Sequence, residues 1–188
     1  MYQAEVQFVA QSGWGVKWGY NNKSGNVNIR KALDFIGIDQ NNNIIDIPFD
    51  IEQYQANFII VNMGGNDYSS YVNTLSGNAK TEAINLFKES VAETCSYLLN
   101  KLPQAKIIWT YTSGASNGAA AVSAFSTLPI NLQTRIFPTI IKQVGEDGDP
   151  EGADSHCSYV SHLKSAQNIA DKIKEKTGIE QLIDNYVI

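Results

Sequence analysis

Two short polar motifs in this sequence carry side chains that could take part in a reaction. The first is residues 62–67 (NMGGND), which directly follow the apolar run 58–62 (FIIVN). Glycine permits a sharp turn, and the Asn66 amide beyond it could donate N–H groups to the negative oxygen of a tetrahedral intermediate. Asp67 could fix that turn by accepting backbone N–H bonds. The same residues are equally typical of a plain Asn-Asp turn after a strand.

His156 is the second candidate, at the end of residues 152–156 (GADSH) and just before a long helical pattern. A histidine can take a proton from a hydroxyl group and return it to a leaving alcohol. Asp154 could orient the imidazole ring through its Nδ1 atom. Alternatively, Asp154 or Ser155 caps the helix and His156 is incidental. We expect His162, inside that helix, to be a structural or surface residue.

A third motif, residues 12–15 (SGWG), follows another run of apolar and polar residues, 5–10 (EVQFVA). The backbone N–H of Gly13 could supply a second donor to an oxyanion. An ordinary glycine turn is the alternative interpretation. Ser12 precedes a glycine after a predicted strand, which is how a nucleophilic serine is often presented.

The elements that must position these motifs alternate between strands and helices, which favours a parallel sheet covered on both faces. In such a sheet, ligands bind at the carboxyl ends of the strands, where the three motifs fall. Small residues predict a loop at 114–124, and Pro138 limits any helix in 131–144. The predicted strands are 5–10, 58–62 and 106–111, and the predicted helices are 81–102 and 158–176.

Composition excludes several classes of protein. The 188 residues fit one domain, and the net charge of −5 gives no basic face for nucleic acid or an anionic membrane. No apolar run approaches the roughly 20 residues of a membrane-spanning helix. Two distant cysteines and two histidines predict neither a disulfide framework nor a metal site, and we expect no cofactor. The first residues lack the pattern of a signal peptide.

In this order, the motifs resemble those of the SGNH (GDSL-like) hydrolases, whose sequences carry Gly-Asp-Ser, Gly, Gly-x-Asn-Asp and Asp-x-x-His blocks. Residues 64–67 match the third block in full, and residues 154–156 resemble the fourth. Within that superfamily the chain is most similar to carbohydrate esterase family two. Members of that family have Ser-Gly-x-Gly after a strand, as at 12–15, and an Asp-aromatic-His-Pro-Ser stretch with a later histidine, as at 154–162.

The resemblance implies an α/β fold of three layers, α/β/α, with a mostly parallel, flavodoxin-like sheet. It spans nearly all of residues 1–188, which we expect to form one SGNH hydrolase-like domain. The sequence contains no Gly-Asp-Ser. We therefore expect the domain to lack its first strand and the serine that this strand carries, with Ser12 as the rival nucleophile.

The resemblance also assigns roles to individual residues. Gly13 and Asn66 would form the oxyanion hole, and His156 would be the general base and then the general acid. Asp154 precedes His156 by two positions where the superfamily has three, so a backbone carbonyl could replace it as the orienting group. Cys157 stands where family two has proline.

The implied function is a serine esterase that removes acetyl or other short acyl groups from carbohydrate esters. Such esterases are usually exported, so the resemblance implies an extracellular protein and otherwise a cytoplasmic one. The alternatives are a carbohydrate-binding remnant without catalysis, and a lipase-like or peptidoglycan O-acetyl esterase on the same fold. Four aromatic residues could form a sugar-stacking surface or belong to the core: Trp14, Trp18, Tyr68 and Tyr71. The sequence does not indicate the oligomeric state.

Overall fold

The computed structural model of this chain describes residues 5–19, 28–37, 39 and 43–180. Within them lies a sheet of three parallel strands, β1 (Phe58–Val61), β2 (Lys106–Thr112) and β3 (Ile136–Ile141), in the spatial order β1-β2-β3. The helices are α1 (Ile29–Ala32), α2 (Gly65–Ser70), α3 (Gly77–Lys101), α4 (Ser116–Phe125), α5 (Ile130–Gln133) and α6 (Tyr159–Thr177). Short 3₁₀ turns occur at Ile51–Tyr54, Val72–Thr74, Glu146–Gly148 and Ala153–Ser155.

The central strand β2 is covered on both faces. Successive side chains of a strand point to opposite sides of the sheet, and four consecutive residues of β2, from Ile107 to Thr110, are buried. Ile107 and Trp109 belong to the main core, where Trp109 meets the ring of Phe125 edge-on at 5.7 Å. Ile108 is buried outside that cluster. The sheet is therefore the middle layer of an α/β/α arrangement, as the sequence predicts.

The two long helices are confirmed, with bounds close to those predicted. Helix α3 buries Ala83, Phe87 and Val91 at helical spacing against the core, and it ends before Pro103, which lacks the N–H that a helix interior needs. Helix α6 packs on β3. It begins at the cap Ser158, whose hydroxyl accepts the N–H of Ser161, and ends at a glycine with φ of 72°.

Residues 114–124 do not form the predicted loop, because most of them belong to helix α4. Alanine has the highest helix propensity, and the small residues that suggested a loop allow α4 to pack closely on α3. Ala120, Ala121 and Ala124 are buried there. The ambiguous segment 131–144 contains the end of α5 and the whole of β3. Pro138 is tolerated in β3 because that strand lies at the edge of the described sheet.

The predicted strand at residues 5–10 is wrong. These residues pair with no strand among those described, and the side chains of Val6, Phe8 and Val9 are 60%, 87% and 59% exposed. A favourable composition does not form a strand without a partner to complete its hydrogen bonds. Strand β1 likewise has a free edge within the described residues, and its Ile60 is 54% exposed.

No helix in the described part of the chain is long and apolar enough to cross a membrane.

The junction between α3 and the sheet depends on the charged side chain of Arg135. The Arg135 guanidinium donates to the backbone oxygens of Leu99, Leu102 and Ala105 at 2.7–3.2 Å. It thereby binds the end of α3 and the start of β2 to the start of β3, and it satisfies carbonyl groups that a helix end leaves without partners.

Replacing Arg135 with methionine should lower the free energy of unfolding by about 2–4 kcal/mol, because the apolar stem remains while charged hydrogen bonds are lost. Urea unfolding followed by circular dichroism measures the change. Lys101→Met is the control, since it removes only the exposed ion pair to Glu52, and an ion pair in water contributes little to stability. Equal effects of the two substitutions would contradict this role for Arg135.

Candidate functional site

Asn66 and His156, which are predicted site residues, follow the carboxyl ends of the parallel strands, and so does Asn117, which was not predicted. Asn66 comes directly after β1, Asn117 follows β2, and His156 lies in the loop that follows β3. Parallel strands end at the same edge of a sheet and lie about 4.8 Å apart. The strands that lead to Asn66 and His156 are therefore separated by about 10 Å at this edge, with the loop after β2 between them.

Gly13 occupies a position in its turn that favours glycine. The Trp14 N–H donates to the Gln11 carbonyl at 3.2 Å, and Gly13 has φ of 76°. A turn closed in this way, with positive φ at its third residue, favours glycine there. Ser12 precedes it and is exposed. The turn leads directly into Trp14, through which this loop contacts Asn66.

The side chain of Asn66 is held by the loop that contains Gly13. Its Nδ2 donates to the Trp14 carbonyl at 2.8 Å. A carboxamide nitrogen carries two N–H groups, so this bond fixes the orientation of the amide and leaves the second N–H for another acceptor. The backbone oxygen of Asn66 accepts a hydrogen bond from the hydroxyl of Ser70, one turn further along α2.

Asp67 is fully buried and its carboxylate accepts three consecutive backbone N–H groups. The amide of Val16 donates to Oδ2 at 2.9 Å, and the amides of Lys17 and Trp18 donate to Oδ1 at 2.7 and 2.8 Å. Burial raises the pKa of Asp67, and the three N–H groups oppose that shift by stabilising the charged form. The first turn of α2 and residues 16–18 are thus joined by one carboxylate.

Two glycines leave room for these contacts. A Cβ on Gly15 would stand 1.8 Å from the Trp18 carbonyl oxygen and 2.3 Å from Oδ2 of Asp67. At Gly64, which has φ of 111°, a Cβ would lie 3.1 Å from the amide nitrogen of Asn117. No sequence motif indicated Asn117. Asn117 reaches this end of the sheet because β2 pairs with β1. It could therefore be found only from the order of the strands in the sheet.

His156 projects from a loop with an unusual backbone. Asp154 and Ser155 both have positive φ, 53° and 58°, a conformation that costs of order 1 kcal/mol or more for a residue other than glycine and often occurs at functional sites. Hydrogen bonds from Gly152 N–H to the His156 carbonyl, 2.8 Å, and from His156 N–H to Ala153 hold the turn.

Ion pairs anchor the same loop to its surroundings. Lys142, just after β3, contacts Glu146 and Asp147 at 3.0 and 2.8 Å. Asp149 binds Lys164 of α6 at 2.6 Å, and its side chain is only 8% exposed. Because the loop is attached both to β3 and to α6, the position of His156 is set by the sheet and not by a freely hinged connection.

The structure does not join Asp154 to His156. Both residues are exposed, and no hydrogen bond or ion pair connects their side chains. The positive φ of Asp154 belongs to the turn itself. His162 lies on the exposed side of α6, as expected for a residue outside the chemistry.

Of the two alternatives for the four aromatic residues, the structure favours the core for three of them. Trp14, Trp18 and Tyr68 are only 8%, 4% and 6% exposed, so their faces are unavailable to a ligand. Tyr71 is half-buried and packs on Trp18 with ring centroids 4.5 Å apart. These rings are part of the core beneath the site, because the contact of Asp67 with residues 16–18 brings this segment inward.

Two further features of the described residues concern possible ligands. No group of three or more His, Cys, Asp or Glu side chains there is arranged to hold a metal ion. A shallow groove lies between β3 and α6, away from the motifs. Its lining residues are Tyr111, Pro138, Thr139, Ile140, Asn168, Asp171, Lys172 and Glu175.

Several carbohydrate esterases are among the solved structures to which this chain is similar. An acetyl xylan esterase from the rumen bacterium Butyrivibrio proteoclasticus superposes with a TM-score of 0.71 at 18% identity, over 88% of this chain and 50% of that chain. A family two carbohydrate esterase from Cellvibrio japonicus gives 0.63 at 21% identity, over 87% and 45%. A third structure gives 0.69 at 18%, over 89% and 52%. It is described as a carbohydrate esterase whose active site displays divergent catalytic and non-catalytic binding functions.

The chain spans about half the length of these solved structures. At these identities the likeness establishes a shared fold, which agrees with the resemblance in the sequence motifs. No protein-family model matches the chain, and no curated protein matches it either.

The close packing at Gly15 gives a direct test of this geometry. Gly15→Ala should lower the free energy of unfolding by about 2–4 kcal/mol, because the new methyl group overlaps backbone and the Asp67 carboxylate. Gly65→Ala is the matched control. A Cβ there meets nothing within 4 Å, so stability should stay equal or rise slightly. Similar unfolding midpoints in urea for Gly15→Ala and the unmodified protein would show that the loop packs differently.

Proposed function

We propose that this site hydrolyses short acyl esters of carbohydrates, with Asn66 and Gly13 as the oxyanion hole and His156 as the general base. The observation that carries the proposal is the 2.8 Å bond from the Asn66 amide to the Trp14 carbonyl. It places the amide beside the Gly13 turn at the edge of the sheet that also presents the His156 loop. Fold and motif order independently support the same class of enzyme.

The chemistry would proceed by two acyl transfers. A serine hydroxyl attacks the ester carbonyl while His156 takes its proton, and the carbonyl oxygen becomes negative. The second N–H of Asn66 and the N–H of Gly13 donate to that oxygen, each lowering the barrier by about 3 kcal/mol. His156 then protonates the leaving sugar oxygen, and water attacks the acyl-serine with the same base.

The nucleophilic serine has two candidate positions. Ser12 is exposed and precedes Gly13, so the N–H following it would be an oxyanion donor, as in other serine hydrolases. The second position is the end of a strand laid parallel along the free edge of β1. Such a strand would end beside Asn66, because parallel strands finish at the same edge. The edge of β1 that pairs with no strand among the described residues supports this second position.

The orienting group of His156 belongs to the same proposal. Asp154 would fill that role only if its side chain turned toward the imidazole, since no hydrogen bond links them in this structure. A backbone carbonyl is the alternative acceptor for Nδ1–H. Asp154→Ala should therefore lower kcat far less than His156→Ala if a carbonyl orients the ring, and comparably to a triad carboxylate if Asp154 does.

An acetylated plant polysaccharide is the proposed substrate, because the solved structures of similar fold include an acetyl xylan esterase. Extracellular action is part of this proposal, since such polysaccharides lie outside the cell. Peptidoglycan O-acetyl groups and long-chain lipid esters are the competing substrates. A long acyl chain requires an apolar cleft, whereas the residues next to Asn66 and His156 in the sequence, 64–67 (GGND) and 152–158 (GADSHCS), are largely polar or glycine.

Acetate release from acetylated xylo-oligosaccharides tests the proposal. His156→Ala should lower kcat by at least 1,000-fold through loss of the base, and Asn66→Ala by roughly 100-fold through loss of one oxyanion donor. His162→Ala and Asn131→Ala are matched controls at exposed positions and should keep full activity. Labelling with a fluorophosphonate, followed by mass spectrometry, identifies the reactive serine in the same samples.

Turnover that survives His156→Ala would contradict the proposed chemistry. Binding of the oligosaccharide without turnover, equal in the unmodified chain and in His156→Ala, would instead support a non-catalytic carbohydrate-binding function. That alternative has a specific precedent, because one structure of this fold has an active site with non-catalytic binding functions. Release of acetate from peptidoglycan but not from xylan would retain the mechanism and change the substrate.

A further inference from the structure

Asp67 is a buried carboxylate that takes part in no step of the proposed mechanism. The Asp67 carboxylate makes no ion pair among the described residues. Apart from the Asp67 backbone itself, the only groups there that donate a hydrogen bond to the carboxylate are the amides of Val16, Lys17 and Trp18. A buried charge is costly unless several donors compensate it. An apolar residue in its place would leave these three N–H groups without acceptors, so the role of the carboxylate lies in the segment that it holds.

What the carboxylate holds is the relation between the two proposed oxyanion donors. Gly13 and Asn66 are 53 residues apart in sequence and lie on separate segments. The amide of Asn66 reaches the first segment through one neutral hydrogen bond, to the Trp14 carbonyl. Asp67, adjacent to Asn66, adds three charge-assisted bonds to the same segment. Hydrogen bonds to an ionised acceptor are about twice as strong as neutral ones.

The geometry around this contact admits little adjustment. The three donors are consecutive amides, which converge on one anion as a backbone nest does. Gly15 precedes them and has no space for a side chain, since a Cβ there would lie within 2.3 Å of Oδ2. The Gly15 carbonyl in turn accepts the N–H of Ile29 at 3.3 Å. Residues 15–18 are therefore held by two contacts, one with the Asp67 carboxylate and one with the backbone of Ile29.

We propose that Asp67 is a positioning residue, which sets the distance between the Gly13 N–H and the Asn66 amide by binding residues 16–18 to the start of α2. This inference rests on the proposed function, since it concerns the oxyanion hole of that reaction. Asp67 touches neither substrate nor reacting atoms. It acts through the donors on either side of it, so its loss should weaken stabilisation of the transition state more than binding of the ester.

Asp67→Asn is the test variant, because it preserves the shape and removes the charge. One amide oxygen still accepts from Lys17 and Trp18, but the new NH₂ group faces the N–H of Val16. We expect hydrogen exchange at Val16, Lys17 and Trp18 to accelerate at least tenfold, with the buried amides of Leu98 and Trp109 unchanged. For acetate release, kcat should fall 10- to 100-fold with KM nearly constant. Asp171→Asn, an exposed change on α6, is the matched control.

Unchanged exchange at residues 16–18, or a fall in thermal stability with unchanged kcat per folded molecule, would overturn the positioning role of Asp67. Accelerated exchange in a protein whose unmodified form neither hydrolyses nor binds an acetylated xylo-oligosaccharide would retain the contact but refute the proposed function and this role with it. If Asp67→Asn does not fold, the unmodified protein supplies the test. Amides of Val16, Lys17 and Trp18 that exchange as fast as those of residues 5–10 would exclude the contact.

Discussion

The contact between Asp67 and three consecutive amides determines how the two halves of this site relate to each other. Residues 12–18 have no strand and no helix of their own, so local secondary structure does not place them. The buried carboxylate fixes them against α2 despite the cost of removing a charge from water, a cost visible in its raised pKa. Trp14 and Trp18 follow that segment into the core. The same contact therefore places the Gly13 turn and removes the aromatic faces from solvent.

The sheet provides the second constraint. Three parallel strands in register bring the residues after each strand to one edge, which is where Asn66, Asn117 and the His156 loop are found. Two of them are held by different contacts: Asn66 by a backbone carbonyl, and the histidine loop by ion pairs to Lys142 and Lys164. The edge of β1 that faces away from β2 pairs with no strand among the described residues.

Much of this arrangement could be predicted from the sequence, where local pattern and tertiary structure agree. Continuous apolar runs gave β1 and β2, and helical spacing gave α3 and α6, because burial on both faces or on one face leaves a period in the sequence. The prediction failed where a partner decides the outcome. Residues 5–10 have a strand composition without a strand beside them, and the small residues of α4 become a helix by packing on α3. Asn117 carries no local signal, and the burial of Trp14 follows from the contacts of Asp67 with residues 16–18, which span 49–51 residues of sequence.

We propose that the site at the carboxyl ends of the strands binds an acyl ester, with the ester carbonyl at Gly13 and Asn66. Titration of ¹⁵N-labelled protein with an acetylated xylo-oligosaccharide tests that claim wherever the serine lies, because binding does not require the nucleophile. We expect saturable chemical-shift changes at the Gly13 backbone amide and at the Asn66 side-chain NH₂, with a change at His156 and none at His162. Shifts confined to the groove beside Tyr111 and Asp171, or none at saturating ligand, would contradict it.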